Sequence, residues 1–152
     1  MSDKKNILAV GSIAIDSLET PNGNRDNVLG GSAMYFSLSS SLFAPTKLVG
    51  IVGNDYPAEG WEIFKSRNIN IDNVQTTRGR TFRWGGRYSH DYETRDTLFT
   101  ELGVFENFSP AINSDDLSTP LVFLGNIHPD LQLDVARQMK KPEYIVSDTM
   151  NL

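Results

Sequence analysis

The sequence predicts an α/β domain, a mostly parallel sheet flanked by helices, and three observations carry that prediction. Short runs rich in Val, Ile and Leu recur at residues 7–10, 47–52, 121–124 and 144–146. Between them lie segments with apolar residues at helical spacing, the alternation that a parallel sheet covered on both faces requires. Residues 81–105 switch to period two, which predicts a two-faced antiparallel flap interrupting the alternation.

Taken in order, residues 7–10 and 13–18 are β-compatible and separated by Gly11-Ser12, and Pro21-Asn22-Gly23-Asn24 is dense turn punctuation. From Ser32 to Phe43, Ala33, Met34, Phe36, Leu38, Leu42 and Phe43 recur at helical spacing with serines between them, and Pro45 closes the segment. Residues 47–52 read as a buried strand ending in the turn Gly53-Asn54-Asp55, and residues 59–67 as a second helix. In the flap, Phe82, Trp84 and Tyr88 share one side against Arg83, Arg87 and Ser89, and residues 97–104 return antiparallel after a polar turn. The chain then resumes with a strand at 121–124, a helix over about 130–139 and a strand at 144–146.

Composition narrows the functional classes. At 152 residues one domain can bury about two thirds of its unfolded surface, enough for a real core. Hydrophobic residues make up 39% and charged residues 22% without a biased tract, as in a globular protein. Nineteen acidic against fourteen basic side chains give a formal charge of -5, a field that repels a phosphate backbone and argues against nucleic acid as a partner. The lack of cysteine excludes disulfide frameworks, thiol nucleophiles and Cys-ligated zinc, and fits a reducing compartment. The first apolar run is too short for a signal-peptide core or a membrane span, so a cytoplasmic protein with no membrane partner is expected.

Several residues are candidates for chemistry. Adjacent glycines, Gly30 and Gly31, precede the first long helix, where backbone free of side chains lets a ligand approach a helix N-terminus; a tight turn alone is the competing reading. Ser32 has the same ambiguity as a plain N-cap. Asp16, in Gly11-Ser12-Ile13-Ala14-Ile15-Asp16, is expected near a strand's carboxyl end, where a carboxylate accepts two hydroxyl hydrogen bonds or else forms an Asx-type turn. The aromatic face of Phe82, Trp84 and Tyr88 needs a cover, either bound substrate or a second subunit's flap. Arg83 and Arg87 project the other way, toward an anionic acceptor or toward solvent. Asn126, Asp148 and Asn151 follow strands, at the sheet end where open α/β sheets bind ligands. His90 and His128 are isolated from other ligand types, so no metal site is expected and both read as solvent-facing loop residues. No Gly-x-x-x-x-Gly-Lys-[Ser/Thr] loop, protein-kinase signature or Gly-x-Gly-x-x-Gly occurs.

Together, Gly-Ser-x-x-x-Asp after the first strand, Gly30-Gly31-Ser32-Ala33-Met34-Tyr35, and Leu48-Val49-Gly50-Ile51-Val52-Gly53-Asn54-Asp55 before an antiparallel flap resemble the opening of the ribokinase-like, PfkB-type carbohydrate kinases. The resemblance runs through the whole chain. It implies that residues 1–152 are the amino-terminal part of one ribokinase-like domain, truncated within that domain, with 81–105 as the β lid. It further implies an ATP-dependent kinase acting on a hydroxyl of a sugar-like acceptor. In that comparison Asp16, Gly30 and Gly31 bind the acceptor and the lid is a route to a homodimer; Tyr35, Arg83 and Asn126 are further candidate acceptor contacts. The family's Gly-Ala-Gly-Asp motif and nucleotide pocket belong to the second half of its domain. The expectation is therefore that this chain has no catalytic residue, and that ATP and Mg2+ serve the full-length protein and are not bound by this chain alone. Tyr35 stands where many relatives have Asn, and Ala14 where ribokinase has a polar residue; a larger or partly aromatic acceptor suits Tyr35 better than a bare pentose. The alternative is a non-catalytic ligand-binding or dimerisation module of the same fold.

Overall fold

The computed structural model describes residues 5–150. Nine strands and three α-helices follow in the order β1 (Ile7–Val10), β2 (Ala14–Thr20), β3 (Gly23–Gly30), α1 (Ser32–Ser40), β4 (Thr46–Gly53), α2 (Ala58–Ser66), β5 (Asn70–Thr77), β6 (Phe82–Tyr88), β7 (Arg95–Glu101), β8 (Leu121–Leu124), α3 (Pro129–Gln138) and β9 (Tyr144–Ser147). Two short 3-10 turns, Gly103–Asn107 and Ser114–Asp116, lie between β7 and β8.

The strands form two sheets. A five-stranded core sheet has the order β5-β4-β1-β8-β9, and every pairing in it is parallel. Its central strands are apolar on both sides because both faces are covered. On one face Leu8, Val10, Val49, Ile51, Val122 and Leu124 pack with Val135 of α3, with Met139 at its C-cap and with Val104 and Phe108. On the other, Leu48 and Val52 pack with Ala33 and Met34 of α1, Phe64 of α2, and Ile13. Gly50 leaves the space that Ile13 fills, since a Cβ there would come within 2.8 Å of the Ile13 side chain.

The lid sheet, β3-β2-β6-β7, is larger than the sequence suggested. Residues 81–105 supply β6 and β7, antiparallel as expected, but β2 and β3 complete the sheet, with β2 parallel to β6. Asp16 therefore does not end a core strand. It lies inside a lid strand that runs on to Thr20. The strands β3 and β5 were not foreseen, and the reason is physical: each is an edge strand made largely of Asn, Asp, Thr and Arg, without the apolar alternation that marks a strand with a buried face. The first helix ends at Ser40 rather than Phe43, the remainder being a turn in which Phe43 N and Ala44 N both donate to the Ser40 carbonyl. No helix among the described residues is long and apolar enough to cross a membrane.

Candidate functional site

The core strand order reverses at β1, with β4 on one side and β8 on the other. Ligands of open α/β sheets bind beyond the carboxyl ends of the strands at such a point. Here the chain leaves β1 through Gly11-Ser12, enters the lid as β2, and returns from β3 through Gly30-Gly31 into α1.

Gly31 makes that return possible. Its φ is 104°, and a Cβ would lie 2.3 Å from the Ser12 carbonyl oxygen, so no other residue fits without displacing backbone. Gly31 is itself the N-cap of α1, and Ser32 is the first helical residue rather than the cap. The first amides of α1 are already bonded: Ser32 N donates to Ser12 Oγ at 3.0 Å and Ala33 N to the Ser12 carbonyl at 3.1 Å. Ser32 Oγ, 3.2 Å from Ser12 Oγ, accepts from Asn126 N at 3.1 Å and so joins the loop after β8 to this junction.

Above the junction lies a cleft of about 1020 Å³ between the core sheet's carboxyl end and the lid. Asp16, Gly31, Tyr35, Asn126 and Asp148 all line it, as do Phe82, Trp84 and Tyr88 from the lid. Gly30 does not line it but acts by lacking a side chain, since a Cβ there would sit 2.0 Å from Asp16 Oδ2. Asp16 is half-buried, its Oδ1 is buried without a hydrogen-bond partner, and burial pushes its carboxyl up to about 6. An unpaired acceptor of this kind is costly in a folded protein unless a ligand completes it. Tyr35 donates its hydroxyl to the Leu29 carbonyl at 3.0 Å, which ties α1 to the lid while leaving the ring exposed. Asp148 Oδ1 accepts from Met150 N at 2.9 Å, the turn-forming reading of this Asp. Asn151 lies outside the described residues.

Arg83 is the clearest departure from the expected site. Strand alternation turns it to the back of the lid, where Nη2 donates to Asp55 Oδ2 at 3.3 Å and Nη1 to Asn27 Oδ1 at 3.1 Å. It does not line the cleft. Part of the aromatic face finds a cover that the sequence did not suggest, because Phe82 stacks on Phe105 of the chain's own 3-10 turn at 5.4 Å. Trp84 keeps its place through Nε1 donating to Thr97 Oγ1 at 3.3 Å and through the Arg95 guanidinium, 5.5 Å from its ring centre.

Ser12, Ser32, His128 and Arg95 also line the cleft, although the sequence does not single them out as acceptor contacts. Ser12 carried a usable signal, since it sits in the loop at the carboxyl end of β1, the rule that selected Asn126, whereas Ser32 opens α1 after β3 of the lid. His128 is exposed as expected, yet it caps α3, with Nδ1 accepting from Asp130 N at 3.3 Å, and it lines the cleft. Arg95 had no local signal, because its position follows from hairpin register opposite Tyr88. In charge, the lining sets Asp16, Glu106, Asp130 and Asp148 against Arg95 alone among Lys and Arg.

Comparison with known proteins places this architecture. The chain matches no protein-family profile. It is 28% identical to a cytidine kinase of Thermococcus kodakarensis over 88% of this chain and 48% of the relative. The nucleoside kinase of Methanocaldococcus jannaschii, an archaeal member of the ribokinase family, superposes with a TM-score of 0.72 at 20% identity, over 99% of this chain and 54% of that one. Arabidopsis thaliana ribokinase complexed with ribose and ATP gives 0.72 at 19% identity, over 98% and 55%. The chain has the ribokinase-like fold and spans about half the length of these relatives.

Proposed function

We propose that this chain forms the acceptor-binding and lid portion of an ATP-dependent kinase that phosphorylates a hydroxyl of a neutral sugar or nucleoside. The observation that carries the reading is the unpaired Asp16 carboxylate oxygen inside an aromatic-lined cleft at the sheet's switch point. Two vicinal hydroxyls of a ribose would satisfy that carboxylate, each charge-assisted bond contributing about 1.5–3 kcal/mol. Trp84 and Tyr88 would cover the sugar or a base attached to it and exclude water. Four carboxylates against one guanidinium disfavour an acceptor that already bears a phosphate. The cytidine and nucleoside kinases among the similar proteins support a nucleoside as readily as a free sugar.

ATP, when bound, supplies the phosphoryl group and Mg2+ neutralises its charge. On this reading neither group is held by this chain's own residues. No three His, Asp or Glu side chains among them come together as a metal site, and the first amides of α1 are bonded to Ser12. On this reading the chain's own part is to orient the acceptor and keep it dry, and the donor site and catalytic base belong to a longer polypeptide. Use of ATP and the lack of cysteine go with a cytoplasmic setting. The lid also supports the proposal of a homodimer, since its edge strand β7 is exposed along its whole length and carries Leu98 and Phe99; sedimentation of a monomer at all concentrations would count against that.

The test of the main reading is a phosphorylation assay of the native polypeptide with ATP over ribose, cytidine, other nucleosides and ribose 5-phosphate. Transfer to a neutral ribose-bearing acceptor is expected. Binding of such acceptors with no transfer from ATP would favour a non-catalytic ligand-binding module instead.

A further inference from the structure

We infer that Asp55 and Arg83 are positioning residues that fix the lid sheet over the cleft, an inference that rests on the acceptor reading above. Neither residue touches the cleft.

The lid joins the core at two junctions. One is the Ser12–Ser32 junction already described. At the other, the chain enters β6 through residues 79–81 and leaves β7 through Leu102 and Gly103. The turn after core strand β4 grips this second junction. Asn54 Oδ1 accepts from Gly79 N at 3.0 Å, and Asp55 Oδ1 accepts from both the backbone N and the hydroxyl of buried Thr81, each at 2.7 Å. The other Asp55 oxygen receives Arg83 Nη2 at 3.3 Å. Burial alone would raise the Asp55 carboxyl, but the bonds from Thr81 and Arg83 outweigh it and hold the group below its ordinary value. Asp55 is therefore an anion whose acceptor capacity is filled by the first residues of the lid.

Arg83 carries the grip across the lid. It lies opposite Ile15 of β2, and its Nη1 reaches Asn27 on β3, so one side chain spans three strands. Asn27 meets it from a β-bulge: Asp16 pairs with Val28 but Leu18 with Arg25, and Asn27 has a φ of 57°. Arg83 Nε is buried with no partner, a cost that a fork reaching two elements at once can offset. Both partners of the ion pair are largely shielded, with side-chain exposures of 19% and 29%, unlike a solvated surface pair.

The consequence for the cleft comes from strand alternation. The residue after Arg83 is Trp84, which faces the cleft directly opposite Asp16. The clamp on the back of the sheet thus sets the separation between the Asp16–Trp84 pair and the core. A shift of about 1 Å at such a pair is enough to weaken acceptor positioning by tenfold or more.

The test uses R83Q and D55N/R83Q in the native polypeptide, with cytidine and ribose as acceptors and amide hydrogen exchange as a second readout. Expected are an acceptor KM raised about tenfold with kcat changed less, faster exchange in β6 and β7 with β1, β4 and β8 unchanged, and a double variant at least as impaired as R83Q, because Asp55 also holds Thr81. Unchanged lid exchange would overturn the inference, and so would faster exchange in lid and core together or faster lid exchange with an unaltered KM. If the wild type uses neither acceptor, the acceptor reading fails by itself; the exchange data then still decide whether this pair holds the lid.

Discussion

Leu8, Ala9, Val10, Leu48 and Val49 in the core sheet are wholly inaccessible to solvent, whereas every residue of β7 in the lid sheet is exposed. The core sheet is held by apolar packing on two faces, and buried Asp116 adds one polar tie by pairing with Lys47 of β4 and accepting from Asn73 of β5. The lid has one face over the cleft and is attached by Ile15 and Leu29, which pack into the core, and by a few polar groups: Ser12 with Ser32 at one junction, and Asp55 with Thr81 and Arg83 at the other. Stability is thus concentrated in one sheet and recognition in the other, the usual distribution where a binding element has to move.

Substitutions can break this contrast in graded fashion. The largest loss is expected from Leu8→Ala, about 2–5 kcal/mol by denaturant titration, because a fully buried side chain leaves a cavity between the sheet and its covering helix. Gly31→Ala is expected to cost about 1–3 kcal/mol from backbone conformation alone, and more if the Ser12 carbonyl cannot withdraw. Unlike Leu8→Ala, it should also abolish acceptor binding, because it displaces the junction beneath the cleft. Leu98→Ala, on the exposed edge of the lid, is expected to change stability by less than about 0.5 kcal/mol. A loss there comparable to Leu8→Ala would show that the lid is covered in solution.

Asp16 sharpens the contrast through pH. Its folded-state carboxyl is raised from 3.8 to about 6, so the folded protein holds more protons than the unfolded chain between those values. The contribution of this group to stability is complete below about pH 4 and is lost as pH rises through about 6. Asp16→Asn removes that dependence. The variant should be more stable than the wild type at pH 7 and close to it at pH 4, by denaturation at both values. An unchanged difference across that range would mean the carboxylate is already satisfied.

The core was legible because its strands, buried on both faces, are written as runs of Val, Ile and Leu, and its helices as spaced apolar residues. The edge strands β3 and β5 were not, since both are made largely of polar residues, whereas the edge strand β9 was legible from its apolar Tyr144, Ile145 and Val146. Asp16, Gly31, Tyr35 and Asn126, candidates from local motifs, strand ends and the family resemblance, all line the cleft, although Asp16 lies within a strand of the lid and not at a strand's carboxyl end. Arg83 lies on the face opposite the aromatic residues, as period two indicates, but that pattern does not say which face meets a ligand, and Arg83 bonds Asp55 and Asn27 instead of lining the cleft. The roles of Arg95, Asp55 and Asn27 depend on register across strands or on contacts between the sheets, which no local window contains.

The most direct measurement is calorimetric titration of the native polypeptide and its Asp16→Asn variant with cytidine, ribose and ribose 5-phosphate. A neutral ribose-bearing acceptor should bind the wild type more tightly than ribose 5-phosphate, and Asp16→Asn should weaken that binding by about ten- to a hundredfold, the equivalent of one or two charge-assisted hydrogen bonds. Undiminished binding by the variant, or a preference for the phosphorylated sugar, would contradict the assignment of this cleft as the acceptor site.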